Sequence, residues 1–247
     1  MKADPFVQLK LLDVQELDSR LDQLKHQLRT MPEAAELESL AKDRVDLGDR
    51  VRDVQIRVDD LSRAQKKADA DVEQVKARRR RDQDRMDQGL ITNPKDLENL
   101  QHEMQSLQRR IGDLEDAELE VMEELETAQA ELTALTAQLT ELDERISATE
   151  QARDRKADQI GTEGRAVTEE RKQTASGMPE DLMALYTKLR EQKGGVGAAA
   201  LRSRRCEGCQ LQLNASDLGV IAKAPSDEVL RCEECSRILV RTSESGL

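Results

Sequence analysis

A mostly α fold, a long antiparallel coiled-coil helical hairpin with a small C-terminal β module, is predicted by three features of this 247-residue chain. Apolar residues recur at alternating steps of three and four over most of its length, the pattern of a helix with one narrow buried seam. Aromatic residues make up 1% of the chain and charged residues 36%, a composition that fills thin seams but not a broad core. All four cysteines lie near the C-terminus, inside two matched phrases, RCEGC and RCEEC.

The first seam runs through Val14, Leu17, Leu21, Leu24, Leu28 and Met31. Pro32 then interrupts the register, because proline suits the first turn of a helix and not its interior, so a break is expected near residue 32. A second seam follows through Leu37, Leu40, Leu47, Val51, Val54, Val58, Leu61, Ala68, Val72 and Val75, with Arg44 and Gln65 at two intervening seam positions, and ends in the basic cluster KARRRRDQDR. The third begins at Leu97 and continues through Leu100, Met104, Leu107, Ile111, Leu114, Val121, Leu125, Ala128, Leu132, Leu135, Leu139, Leu142 and Ile146, interrupted only by Glu118.

Between the second and third seams, DQGLITNPKDLENL holds a helix stop and a helix start. Gly89 suits a left-handed cap, Asn93 an N-cap, Pro94 the first helical position and Asp96 the positive end of the new helix. A chain reversal near 89–93 with matching heptads on either side predicts a hairpin, about 75 Å long at 1.5 Å per residue. The competing arrangement pairs these helices with those of another chain. The hairpin region is assigned to residues 1–175, its last part weakly packed past Gly161 and Gly164. Residues 176–200 read as a short helix and a Gly-rich linker: Leu182, Leu185, Tyr186 and Leu189 form its apolar face, and Gly194 and Gly195 end it. Tyr186, the only tyrosine, is expected to pack this helix or to meet a partner.

Residues 201–247 contain Cys206, Cys209, Cys232 and Cys235, two C-x2-C pairs. Each pair can present two thiolates from one tight turn, and two such turns complete a tetrahedral four-sulfur site, the pattern of a zinc ribbon. CQLQLNA, EVLRC and SRILVRT are its candidate strands, with SDLGVIAKAPSD as a connection. Nothing in MKADPFVQLK marks an oxidising compartment, and a redox C-x2-C would occur once beside a βαβ pattern, so a single structural Zn²⁺ is favoured over disulfides, redox chemistry or iron. Four cysteines close the coordination sphere and leave no position for substrate. Gln210 and Ser236 stand where such turns often carry glycine. A module this small depends on its metal, so chelation is expected to unfold residues 200–247 and to spare the helices.

The phrases NPKDLENLQHEM, PEDLMALYTKLREQKGG, CEGCQLQL and CEECSRILV together resemble a bacterial family of zinc-ribbon coiled-coil proteins long catalogued as of unknown function. That family typically reads Cys-x-x-Cys-Gly-Arg-Ile-Leu-Tyr at its end; this chain keeps Arg237, Ile238 and Leu239, with Ser236 and Val240 at the other two places. The resemblance implies a crooked helical hairpin carrying the ribbon. It also implies chaperones or adaptors that bind an alternative sigma factor and flagellar or type III secretion components, and nucleic-acid binding by the ribbon.

Two functions fit the residues. A non-catalytic adaptor or chaperone-like protein would bind protein partners through the hairpin and the ribbon head. A nucleic-acid-binding ribbon in transcription or RNA metabolism would use Arg202, Arg204, Arg205 and Arg237 with the run Arg78, Arg79, Arg80 and Arg81. Charge opposes the second: residues 1–200 hold 32 basic and 44 acidic side chains, the whole formal charge of −12, and stacking aromatics are missing. Arg204, Arg205, Arg231 and Arg237 could instead offset the charge of a four-thiolate zinc centre. His26 and His102 lie in polar helical stretches without a nucleophile pattern, so neither an enzyme nor a small-molecule substrate is expected. The start of the chain lacks a signal-peptide layout and no apolar run could cross a bilayer, which predicts a cytoplasmic protein without membrane insertion.

Overall fold

The computed structural model describes residues 1–247. Helix α1 spans Pro5–Arg29, α2 Pro32–Asp87, α3 Pro94–Ala175 and α4 Glu180–Gln192; then come β1 Ala198–Arg202, β2 Arg205–Cys206, α5 Ala215–Lys223, β3 Leu230–Arg231 and β4 Ile238–Arg241. Local chemistry sets these boundaries. The Asp4 carboxylate accepts from the Phe6 N–H at 2.8 Å and Pro5 opens α1. Gly89 adopts φ +64 after α2, and Asn93 caps α3 by accepting from the Lys95 N–H at 3.0 Å. The chain forms two compact units, one of residues Ala35–Glu150 and one of Met1–Ala34 with Gln151–Leu247.

In the unit Ala35–Glu150, α2 and α3 pair as an antiparallel coiled coil. Cross-helix pairs fix the direction: Glu36 meets Arg145, Arg44 meets Asp143, Lys76 meets Glu115 and Arg78 meets Glu103. Val58, Leu125 and Ala128 form one packed layer with Val54, Leu61 and Leu132. Every apolar seam residue assigned above in this unit is buried or half-buried, whereas Val45, Ile56 and Leu119, off the seam, are 59%, 59% and 56% exposed. Period, not hydrophobicity alone, decides burial here.

In the other unit a four-stranded sheet of order β2-β1-β4-β3 lies at the centre, with β1 parallel to β4 and the two outer pairings antiparallel. Side chains of a strand alternate between faces, and both faces are covered. Ala198, Ile238 and Val240 pack with Leu11 and Val14 of α1 and Leu182, Tyr186 and Leu189 of α4. Ala199, Leu201 and Leu239 pack with Leu213, Ile221, Cys206 and Cys232.

Four parts of this unit differ from the sequence expectation. CQLQLNA, a candidate strand, forms only an isolated bridge of Gln212 with Arg205, since Gln210 turns at φ +62, Leu211 is 50% exposed and Asn214 already caps the next helix. Residues 198–200, grouped with the Gly-rich linker, are the start of β1, and their small alanines fit because both faces of the strand are buried. SDLGVIAKAPSD holds all but the first residue of helix α5, which is capped by Asn214, whose side chain accepts from the Asp217 N–H at 2.8 Å. The first residues of the chain join the ribbon: Ala3 N–H donates to Asp227 O at 2.7 Å and Val229 N–H to Met1 O at 3.1 Å. Helix α1 therefore packs within the unit that holds the cysteines.

Candidate metal centre

The repeated Arg-Cys-Glu-x-Cys phrase folds into two equivalent turns. In the first, the Cys206 N–H donates to Leu211 O at 3.0 Å and the Gln210 N–H to Cys206 O at 2.8 Å; in the second, Cys232 donates to Arg237 O at 3.0 Å and Ser236 to Cys232 O at 2.8 Å. Gln210 and Ser236 hold the left-handed φ values +62 and +64, a conformation that glycine takes without strain. Gln210 also braces its turn through its side-chain N–H, donated to Glu207 O at 2.6 Å. Gly208 is required for a different reason: a Cβ there would lie 2.7 Å from Arg237 Cδ and 2.9 Å from Ala199 Cβ.

The turns bring four sulfurs together, all within 4.8 Å of one another. Cys206 and Cys235 sulfurs lie 3.9 Å apart, as do those of Cys209 and Cys232. A tetrahedral ion with Zn–S bonds of about 2.3 Å requires sulfurs about 3.8 Å apart. A disulfide would need about 2.05 Å. The donor set and spacing fit one structural Zn²⁺ held by Cys206, Cys209, Cys232 and Cys235.

Electrostatics explains why a cation belongs there. Burial pushes the Cys206 thiol up to about 12, against N–H donors from Cys209 and Gly208, and burial raises Cys232 as well. Burial also acts to raise Cys235, but hydrogen bonds from the Arg237 N–H and guanidinium and from the Cys232 and Cys209 thiols bring it to about 7. Zinc supplies the positive charge that buried thiolates lack.

Of the four arginines considered as charge balance, Arg237 is the one that acts to lower the Cys235 thiol. It also donates to Val196 O at 2.9 Å and Lys193 O at 2.8 Å, tying the metal turn to the segment after α4. Arg231 and Arg204 donate to the carbonyls of Ser236 and Gly246, at 3.0 and 2.9 Å, and Arg205 is exposed. Arg202 is ion-paired with Glu207 and Glu244. Arg78, Arg79, Arg80 and Arg81 lie on α2 in the other unit, where Arg78 is paired with Glu103. His26 and His102 are exposed on α1 and α3.

Tyr186 is corrected as a partner-binding candidate, because it is 0% exposed. Its hydroxyl donates to Asp18 at 2.8 Å, and Arg171 donates to the same carboxylate at 2.6 and 3.0 Å. Asp18 is 4% exposed. Burial acts to raise its carboxyl, but the bonds from Arg171 and Tyr186 outweigh this and hold it below the usual range. Burial first, then the bond to Asp18, pushes the Tyr186 phenol far above its ordinary value.

Sequence reasoning also missed Gln15 of α1. Its side-chain oxygen accepts from Gly197 N–H at 2.7 Å and Ala198 N–H at 3.3 Å, and its amide donates to Gly195 O at 2.9 Å. Gly197 permits this close passage, since a Cβ would lie 2.6 Å from Tyr186 O. The only signal for these contacts is the presence of polar residues on a helix face that is otherwise buried.

The fold and site define a class: a coiled-coil hairpin protein with a four-cysteine zinc ribbon. Residues 14–194 match the CT398-like coiled coil hairpin domain and residues 205–239 the C4-type zinc ribbon domain, and the chain belongs to the CT398-like family. It is 33% identical over 241 residues to the uncharacterized protein Rv2229c of Mycobacterium tuberculosis strain H37Rv, covering 98% of each chain. A solved structure from Mycobacterium smegmatis superposes with a TM-score of 0.81 at 31% identity, over 98% of this chain and 100% of that one. CT398 from Chlamydia trachomatis shares the fold at a TM-score of 0.63 and 21% identity, over 96% and 98% of the two chains.

Proposed function

We propose that this protein is a non-catalytic cytoplasmic adaptor or chaperone-like protein that binds protein partners through its hairpin and ribbon surfaces. The observation that carries this reading is the use already made of its reactive groups. The four cysteines fill one coordination sphere, and the buried Tyr186 and Asp18 are committed to each other and to Arg171. What remains for recognition is helical and ribbon surface. No helix is long and apolar enough to cross a membrane.

The nucleic-acid reading is weaker, because several of its arginines are already engaged: Arg78 and Arg202 by carboxylates, Arg204 and Arg237 by backbone carbonyls. Affinity capture with the full chain from nuclease-treated and untreated lysates separates the two. A partner that survives nuclease and then binds as purified protein supports the adaptor. Loss of every partner on nuclease treatment, with binding that weakens steeply as salt rises, overturns it.

A further inference from the structure

One face of the hairpin carries two complementary features at heptad spacing. Gln105, Gly112 and Leu119 succeed one another every seven residues along α3, and so share one side of a coiled-coil helix. At Gln105 the face opens into a shallow cavity lined also by Arg79, Arg80, Gln83, Asp84, Met104 and Gln108. Arg79, Arg80 and Arg109 have no carboxylate within ion-pair distance, unlike Arg78.

At Leu119 the same face presents an exposed apolar side chain among exposed Asp116, Glu120 and Glu123. Residues 113–126 contain eight acidic residues and no basic one. Midway, Gly112 leaves open space, with nothing within 4 Å of where a Cβ would stand. A glycine inside a helix is destabilising by roughly 1 kcal/mol relative to alanine, which calls for a reason such as close approach of another backbone.

We propose that this face is a self-association surface, on which two copies of the chain pack antiparallel about Gly112. In a two-fold contact centred there, a residue seven positions after Gly112 meets one seven positions before it in the second copy. Leu119 of each copy then enters the cavity beside Gln105 of the other, against Met104. Asp116 and Glu120 come opposite Arg109, Arg79 and Arg80. A second copy fits better than a nucleic acid because the cavity sets the apolar Met104 beside two unpaired arginines, and because this chain itself supplies an apolar residue with acidic flanks at the matching interval.

Sedimentation equilibrium of the full chain tests this. A reversible dimer is expected at low ionic strength, weakening as salt rises. Leu119→Asp is expected to raise the dissociation constant at least about tenfold. Gly112→Gln is expected to abolish the dimer while leaving the melting temperature unchanged or higher, which separates lost association from lost folding. Arg80→Glu/Arg109→Glu and Asp116→Arg/Glu120→Arg are each expected to be monomeric alone and to form a heterodimer when mixed. A wild-type chain that stays monomeric at its highest soluble concentration in low salt overturns the proposal. So does a dimer indifferent to Leu119→Asp and Gly112→Gln, or a basic face that takes up nucleic acid while the chain remains monomeric.

Discussion

The unit Ala35–Glu150 and the unit that holds the cysteines are stabilised in opposite ways. The first repeats one contact type: a narrow apolar seam flanked by exposed ion pairs, in which neighbouring layers resemble each other. The second depends on contacts that occur once. Four sulfurs share one ion, Arg237 ties that site to Lys193 and Val196, Gln15 holds the backbone of residues 195–198, and Asp18 gathers Arg171 and Tyr186. Redundant contacts spread the effect of a substitution, whereas a contact without a substitute concentrates it.

The largest effect is therefore expected at the metal. Cys232→Ser removes one of the four ligands of the zinc site, and the ribbon is expected to lose its order with its metal; loss of stoichiometric zinc and of ribbon amide protection is the expected result, by metal analysis and hydrogen exchange. Next comes Asp18→Ala, which leaves Arg171 and the Tyr186 hydroxyl without their acceptor and is expected to destabilise its unit by about 3 kcal/mol in denaturant unfolding.

The same cluster gives a pH dependence. The Asp18 carboxyl is lowered in the folded state, so its contribution is complete above the ordinary carboxylate range and is lost as pH falls through the lowered native value. The Tyr186 phenol is raised, so its contribution is present below the ordinary tyrosine value and declines as pH rises above it. Since the chain has one Tyr and no Trp, phenolate absorbance reports this residue alone. Native protein is expected to show no ionisation where the unfolded chain titrates.

In the coiled coil the effects shrink. Leu125→Ala, in a layer that solvent partly reaches on both sides, is expected to cost about 2 kcal/mol, at the low end for a buried leucine. Arg44→Ala breaks an exposed pair with Asp143 and is expected to leave the thermal midpoint nearly unchanged. A large loss there would show that surface charge, not the seam, holds the helices.

The same contrast explains what could be read in the chain. Repeated structure leaves a periodic trace, so both hairpin seams, the turn at Gly89–Asn93 and the doubled cysteine turns were legible from spacing. Singular contacts leave little trace. Ala198–Ala200 resembles a linker because alanine has weak strand preference, and it becomes a strand through burial on both faces. The pairing of Ala3 with Asp227 joins residues more than two hundred positions apart. Helix α5 did carry a signal, since Asn214 followed three residues later by Asp217 is a helix-start pattern, but only nine helical residues follow it. Asp18 and Gln15 looked like ordinary polar helix residues until their partners were placed.

The zinc site's reach into the helices around it is tested most directly by hydrogen exchange before and after chelation. With Met1–Ala3, Gln8 and Gln15 of the N-terminal segment bound to ribbon or linker backbone, zinc removal is expected to lower protection over residues 198–241 and also over α1. Protection within Ala35–Glu150 is expected to stay unchanged. A ribbon that keeps its protection without metal, or an α1 that keeps its own while the ribbon unfolds, would contradict this account.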